Sequence, residues 1–246
     1  MARGRLAPLP LLPLLLLLLP PAGGAAAPPP APARTPFQAR CEEAALGARA
    51  GFSSRAEGYR VDNGLSWRTL TTMKRGVGNG LVLGLTRAES RVSVRVDGAR
   101  LEDADGVFEC LVPQVDVVLF YPPMTVYVGS EFAPGTCAYR EILAHEMRHL
   151  KTYLDWLPKV EERVRVRLGR RFAGKPLYAR RGEGRALLQS DIDRNWMPVI
   201  RAEMLRVETL QAAIDTPREY ARLSKVCQGE VQSIIGSTRP PRIIND

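Results

Sequence analysis

The sequence predicts an α+β domain in which a mostly antiparallel sheet precedes a helical half, and three observations carry that prediction. Period-two and β-branched runs crowd into the chain before Pro134, whereas the chain after it reads as helix. Strands followed by helices, rather than alternating with them, argue for α+β. About 200 residues, 37–236, have ordinary globular composition, enough for one sizeable core.

The chain opens on an export signal, residues 1–27. Arg3 and Arg5 give a basic start, residues 6–19 are an apolar run dominated by leucine, and Ala25-Ala26-Ala27 offer a small-residue cleavage site. A retained membrane anchor is the alternative, but the run falls short of the ~20 apolar residues a spanning helix needs. Pro8, Pro10 and Pro13 also interrupt it. Residues 28–36 hold five prolines and predict an extended linker.

Within the folded part, residues 38–48 and 66–73 are short helix candidates, and 80–86 is a strand candidate rich in leucine. Arg91-Val92-Ser93-Val94-Arg95-Val96 alternates polar and apolar as a half-buried strand does, and Asp97-Gly98 marks a turn. Residues 107–112, 115–120 and 124–128 supply further strands, punctuated by Pro113 and Pro122-Pro123. After Pro134 a helix covers 138–157 and ends at Pro158. The arginine-rich 158–171 follows as a second helix, although its Arg/Val alternation also permits a strand. A long helix covers 184–213, kinked or divided at Pro198. The last begins at Thr216, with Pro217 at the first helical position and Glu219 completing a capping box, and closes at Gly236. Residues 237–246 form a tail.

The formal net charge is +9, and residues 159–185 concentrate ten Lys/Arg against three Glu. Such a segment attracts an anionic envelope polymer or is simply a solvated face. No aromatics alternate with the basic residues, so nucleic acid is not an expected partner. Cys41, Cys110, Cys137 and Cys227 are too widely spaced for a C-x-x-C motif. An even number of cysteines in an exported chain predicts two disulfides, with three connectivities open.

His145-Glu146-Met147-Arg148-His149 fits H-E-x-x-H, and the only two histidines of the chain both fall in it. On a helix, residues four apart share a face, so both imidazoles point at one ion and Glu146 projects beside it. Zinc held by three protein groups keeps a position for water, and a neighbouring carboxylate takes that water's proton. The third ligand is then a carboxylate or a group from outside the chain. Asp155 stands six residues beyond the second histidine, but a helix reaching residue 157 turns it away at ~100° per residue. Glu203 falls within the stripe Val199, Ile200, Val207, Leu210 and Ile214, and a carboxylate buried there demands a metal or an arginine partner.

Met124-Thr125-Val126-Tyr127-Val128, a loop through Cys137, and the helix 139–150 together resemble the zincin metallopeptidases, in which a strand lies above the cleft and the H-E-x-x-H helix forms its floor. That resemblance implies that residues 124–129 pair with an extended substrate by strand addition. Leu83-Gly84-Leu85-Thr86, the cysteine ahead of the motif, and Asp215-Thr216 before a final helix are similar to an uncharacterised family of secreted bacterial proteins predicted to be zinc-dependent proteases. The resemblance covers most of the mature chain. It implies a zincin-like fold, a periplasmic or secreted location, a protein or peptide substrate, and hydrolysis by a zinc-bound water that Glu146 activates. Similarity to the gluzincins, whose third ligand is a glutamate on a later helix, favours Glu203, and implies an oxyanion-stabilising Tyr220 or Tyr127. A Cys137–Cys227 bridge would clamp the helical half around the cleft, which favours that pairing together with Cys41–Cys110. Two alternatives remain beside the peptidase: a metal-binding envelope protein without catalysis, and a metal-free, disulfide-stabilised interaction module.

Overall fold

In the computed structural model, which describes residues 34–74 and 81–237, the chain runs α1 (Pro36–Ala44), β1 (Arg49–Ala56), β2 (Tyr59–Asp62), α2 (Trp67–Met73), β3 (Gly84–Arg87), β4 (Arg91–Asp97), β5 (Arg100–Glu102) and β6 (Phe108–Leu111). It continues through β7 (Gln114–Tyr121), β8 (Met124–Val128), α3 (Cys137–Phe172), β9 (Leu177–Arg180), α4 (Gly184–Asp191), α5 (Met197–Ala212), α6 (Pro217–Lys225) and α7 (Glu230–Ser237). The export signal, the linker up to residue 33, Gly80, and the tail beyond Ser237 lie outside the described residues. The architecture is α+β, with three sheets of three strands in the orders β1–β7–β4, β2–β8–β3 and β5–β6–β9.

The first two sheets are successive stretches of one ribbon. β1 runs parallel to β7 with Arg49 facing Gln114, and β2 runs parallel to β8 in the same register, with Tyr59 facing Met124. Between them Glu57 N donates to Tyr121 O at 2.9 Å and Met124 N to Gly58 O at 3.0 Å. The ladder breaks only where Pro122 and Pro123 have no N–H to give. β4 and β3 complete the other side, antiparallel to β7 and β8. The expected antiparallel sheet is therefore mixed, because a parallel neighbour comes from residues 49–62. That segment carries no strand signal: β1 buries only Phe52, and β2 buries nothing. β9 was equally unsignalled, and joins β6 as an edge strand.

β8 is the central strand of its sheet, with β2 and β3 on its two edges. Its residues are all buried, because both faces are covered. Met124 and Val126 pack towards Leu150 and Trp156 of α3, while Tyr127 joins Leu70 of α2 and Val82. The expected pairing of residues 124–129 with a substrate is overturned by this placement, since neither edge of β8 is free. The outer edges of this sheet belong to β2 and β3.

α3 is one helix of 36 residues, not two, and it passes through Pro158. Proline there removes one backbone hydrogen bond. Trp156, Leu157, Val160, Val164 and Leu168 are buried in one core on either side of it, and they keep the helix continuous through the interruption. The Arg/Val alternation at 163–167 is accordingly helical, with Val164 inside and Val166 exposed. The long helix expected over 184–213 is divided ahead of Pro198 by a π-helical turn, Ile192–Trp196. The last helix is likewise divided, where Cys227, Gln228 and Gly229 take positive φ values of 59°, 53° and 84°. Both disulfides form as expected, Cys41–Cys110 and Cys137–Cys227. Among the described residues no helix is long and apolar enough to cross a membrane.

Candidate metal centre

The histidine pair is placed by the packing of α3. Ile142 is buried against Val128 and Phe132, Leu150 against the main core, and His145, Glu146 and His149 lie buried between them. The first turn of the helix is fixed three ways. Thr136 accepts from Tyr139 N at 3.2 Å, Glu230 of α7 accepts from Ala138 N at 3.0 Å, and Cys137 is bridged to Cys227.

The third group at the site is Asp215. It sits in the corner between α5 and α6, directly before Thr216, which caps α6 by accepting from Glu219 N at 3.2 Å. Asp215 Oδ1 lies 3.1 Å from His145 Nε2 and 3.1 Å from His149 Nε2, and the two Nε2 atoms are 3.2 Å apart. Three ligands of a tetrahedral zinc with bonds of 2.0–2.1 Å stand about 3.3 Å apart, so this triangle has the size such an ion requires. These three residues form a candidate metal-binding group.

Protonation fits the same geometry. Gln211 donates its Nε2 to the His149 carbonyl at 3.1 Å, which turns its Oε1 to His149 Nδ1. A carbonyl oxygen only accepts, so Nδ1 carries a proton and Nε2 is the ring atom turned to the triangle. His145 Nδ1 lies 2.9 Å from the Arg148 guanidinium and 3.3 Å from Glu219 Oε1. Glu219 also accepts from Arg148 and Arg222, and the Arg222 bonds foremost, against opposing burial, hold its pKa down to about 2. Carboxylate and amide partners behind ligand imidazoles are the usual supporting shell of a metal site. Glu219 thus spends its side chain on His145 rather than on the capping box.

Burial alone would raise the pKa of Asp215, yet bonds from His145, His149 and Lys74 hold it well below the carboxylate range. Lys74 donates to Asp215 Oδ2 at 2.8 Å. Glu146 has the opposite balance: burial pushes its carboxyl above the ordinary value despite the pull of both histidines and of Thr86. The Thr86 hydroxyl lies 2.9 Å from Glu146 Oε2. A cavity of about 290 Å³ opens over these groups, lined by Lys74, Gly84, Thr86, Glu146, His149 and Asp215. Tyr153, one turn beyond His149, lines this cavity and two larger ones beside it of about 580 and 500 Å³.

The structure does not bring Glu203 to the histidines. It is buried as its stripe demanded, but Arg163 takes Oε2 at 3.0 Å and Arg206 takes Oε1 at 3.0 Å. This is the arginine partnership that the sequence left open. α5 runs antiparallel to α3, with Glu203 level with Trp156 and Arg163 and Gln211 level with His149. Asp215 lies 12 residues further on, in the turn beyond the end of α5, at the level of the histidines. Asp155 is exposed and paired with Lys151 at 2.6 Å. Tyr220 stands beside the site, its ring centroid 6.4 Å from that of His145. Tyr127 is buried in the cluster with Leu70 and Val82 and lines none of the three cavities around the site.

Asp215 carried a sequence signal of its own. Glu203, Val207 and Gln211 recur every four residues along the inward face of α5, and Asp215 follows one further step of four, in the turn beyond its end. Comparison with protein-family models, with curated proteins and with solved structures finds no match for this chain.

Proposed function

We propose that the chain is an exported, zincin-like zinc peptidase whose metal ligands are His145, His149 and Asp215. The observation that carries the reading is the triangle of two Nε2 atoms and one carboxylate oxygen, with sides of 3.1–3.2 Å and a buried Glu146 beside it. Two Nε2 atoms and Asp215 Oδ1 converge on one point, the place a single cation would take. Zinc suits a donor set of two imidazoles and one carboxylate, and bound there it supplies a Lewis acid and an acidified water.

The remaining steps belong to the protein. An extended substrate adds to the outer edge of β3, whose residues line two of the cavities that Tyr153 lines. Glu146, its pKa raised by burial, takes the proton of the attacking water and returns it to the leaving amine. Thr86 orients that carboxylate, and Gln211 and Glu219 support the imidazoles. Two disulfides suit an oxidising compartment, in line with a periplasmic or secreted location. Exposed Arg165, Arg167 and Arg170 leave the 159–185 segment free to meet an anionic envelope polymer.

The test is the metal content of the purified mature protein, followed by turnover of a peptide library. About one zinc per chain, and hydrolysis that falls by about 10²–10⁴ in Glu146→Gln while zinc stays bound, is the expected result. No zinc in a protein with both disulfides intact, or hydrolysis undiminished in Glu146→Gln, defeats the reading.

A further inference from the structure

One cation lies against the candidate metal centre and has no place in the chemistry above. α2 is built to deliver it. Ser66 caps the helix by accepting from Thr69 N at 3.1 Å, and Trp67 N donates to Glu131 at 3.0 Å. Leu70 is fully buried with Val82 and Tyr127, and Thr71 accepts from Val82 N at 2.9 Å. Lys74 follows immediately, at the C-terminal cap, its N–H donating to Leu70 O. From there its side chain crosses to a residue 141 positions away and places Nζ 2.8 Å from Asp215 Oδ2.

The two oxygens of Asp215 are therefore divided. Oδ1 faces both histidines and Oδ2 faces the ammonium. A carboxylate is free to bind a metal through one oxygen or through both. Binding through both would fill coordination space that a hydrolytic centre keeps for water. With Lys74 on Oδ2, the two-oxygen mode must give up a partly buried ion pair, whose side chains are only 27% and 20% exposed.

We infer that Lys74 is a positioning residue that holds Asp215 as a single-oxygen ligand and so keeps the metal's remaining position open. The inference rests on the metal reading above. It assigns Lys74 no contact with substrate.

The experiment compares the wild-type protein with Lys74→Met, which keeps the aliphatic stem, Lys74→Gln, and Lys74→Arg, which restores the cation. Zinc affinity is read by competition with a chelator, and coordination number by the visible absorption of the cobalt-substituted protein, strong for four ligands and weak for more. Lys74→Met and Lys74→Gln are expected to lose about 10–100-fold in zinc affinity and to show a weakened cobalt spectrum, and Lys74→Arg to retain both. Wild-type affinity and spectrum in the two neutral variants would overturn the role of Lys74 and leave the metal centre standing. A wild-type protein that takes up neither zinc nor cobalt overturns the centre, and the inference falls with it.

Discussion

Gly84 of β3 lies so close to Glu146 of α3 that a β-carbon at Gly84 would stand 2.7 Å from Glu146 Cγ and 2.9 Å from its Oε1. The same β-carbon would meet Ile142 Cγ2 at 2.8 Å. Only glycine lets the strand lie directly on Glu146, and that contact also brings Thr86 within reach of the carboxylate. In Gly84→Ala the strand must lift or Glu146 must turn. The expected outcome is unchanged zinc content, a stability loss of about 1–3 kcal/mol, and peptide hydrolysis reduced at least tenfold. Zinc analysis, thermal melts and turnover check it. Wild-type turnover would show that β3 does not position Glu146.

Asp215 and Glu203 make opposite predictions. Asp215→Ala removes a corner of the metal triangle and should abolish stoichiometric zinc, as His145→Ala should. Glu203→Ala removes a buried carboxylate that Arg163 and Arg206 share. It should leave zinc content intact and cost about 1–3 kcal/mol of stability, because the two half-exposed arginines rehydrate in part. Elemental analysis and denaturant unfolding of the three variants separate these cases. Zinc retained in Asp215→Ala and lost in Glu203→Ala would reinstate the ligand first expected.

What the sequence revealed divides along physical lines. H-E-x-x-H, β4, β7, β8 and the cap at Thr216 were legible because local spacing and capping chemistry determine them. β1 and β2 were not, since their stability comes from pairing with β7 and β8 rather than from apolar side chains of their own. The course of α3 through Pro158 was hidden because one lost hydrogen bond is outweighed by buried contacts distributed along the helix. The approach of Asp215 to the histidines was hidden for a related reason. The apolar stripe showed which side of α5 faces inward, but the level of Gln211 against His149 is set by the antiparallel packing of two helices, which no single segment encodes.

The two disulfides should differ in what they protect. Their loops are long, 69 and 90 residues, so each should contribute about 4 kcal/mol by restricting the unfolded chain. Cys41–Cys110 joins α1 to β6, whereas Cys137–Cys227 ties the first turn of α3 to the segment after α6. Replacing Cys137 and Cys227 by serine frees the helix that carries Glu219, and zinc affinity should fall about tenfold along with stability. Replacing Cys41 and Cys110 should lower stability alone. Melting curves and chelator competition on the two double variants test this, and equal zinc affinity in both would remove the clamp from the account of the site.

Glu109 predicts a pH dependence remote from the histidines. Its side chain is buried in β6, where Gly182 N donates to Oε2 at 2.8 Å and Gly184 N to Oε1 at 2.7 Å. Burial alone would raise its pKa, but these two bonds and the charges of Arg100 and Arg181 together hold it below the ordinary 4.5. A group whose folded pKa is depressed binds fewer protons in the native state. Its contribution is therefore complete above pH 4.5 and is lost as pH falls through the folded value. Glu109→Gln places an amide N–H against one of the two backbone donors and should cost about 1–3 kcal/mol at pH 7. Thermal melts of both proteins between neutral pH and pH 3 should then converge, because acid removes from the wild type what the substitution has already removed. A gap that stays constant across that range would mean that Glu109 titrates alike in the folded and unfolded chain, and that its backbone bonds stabilise the acid and the carboxylate equally.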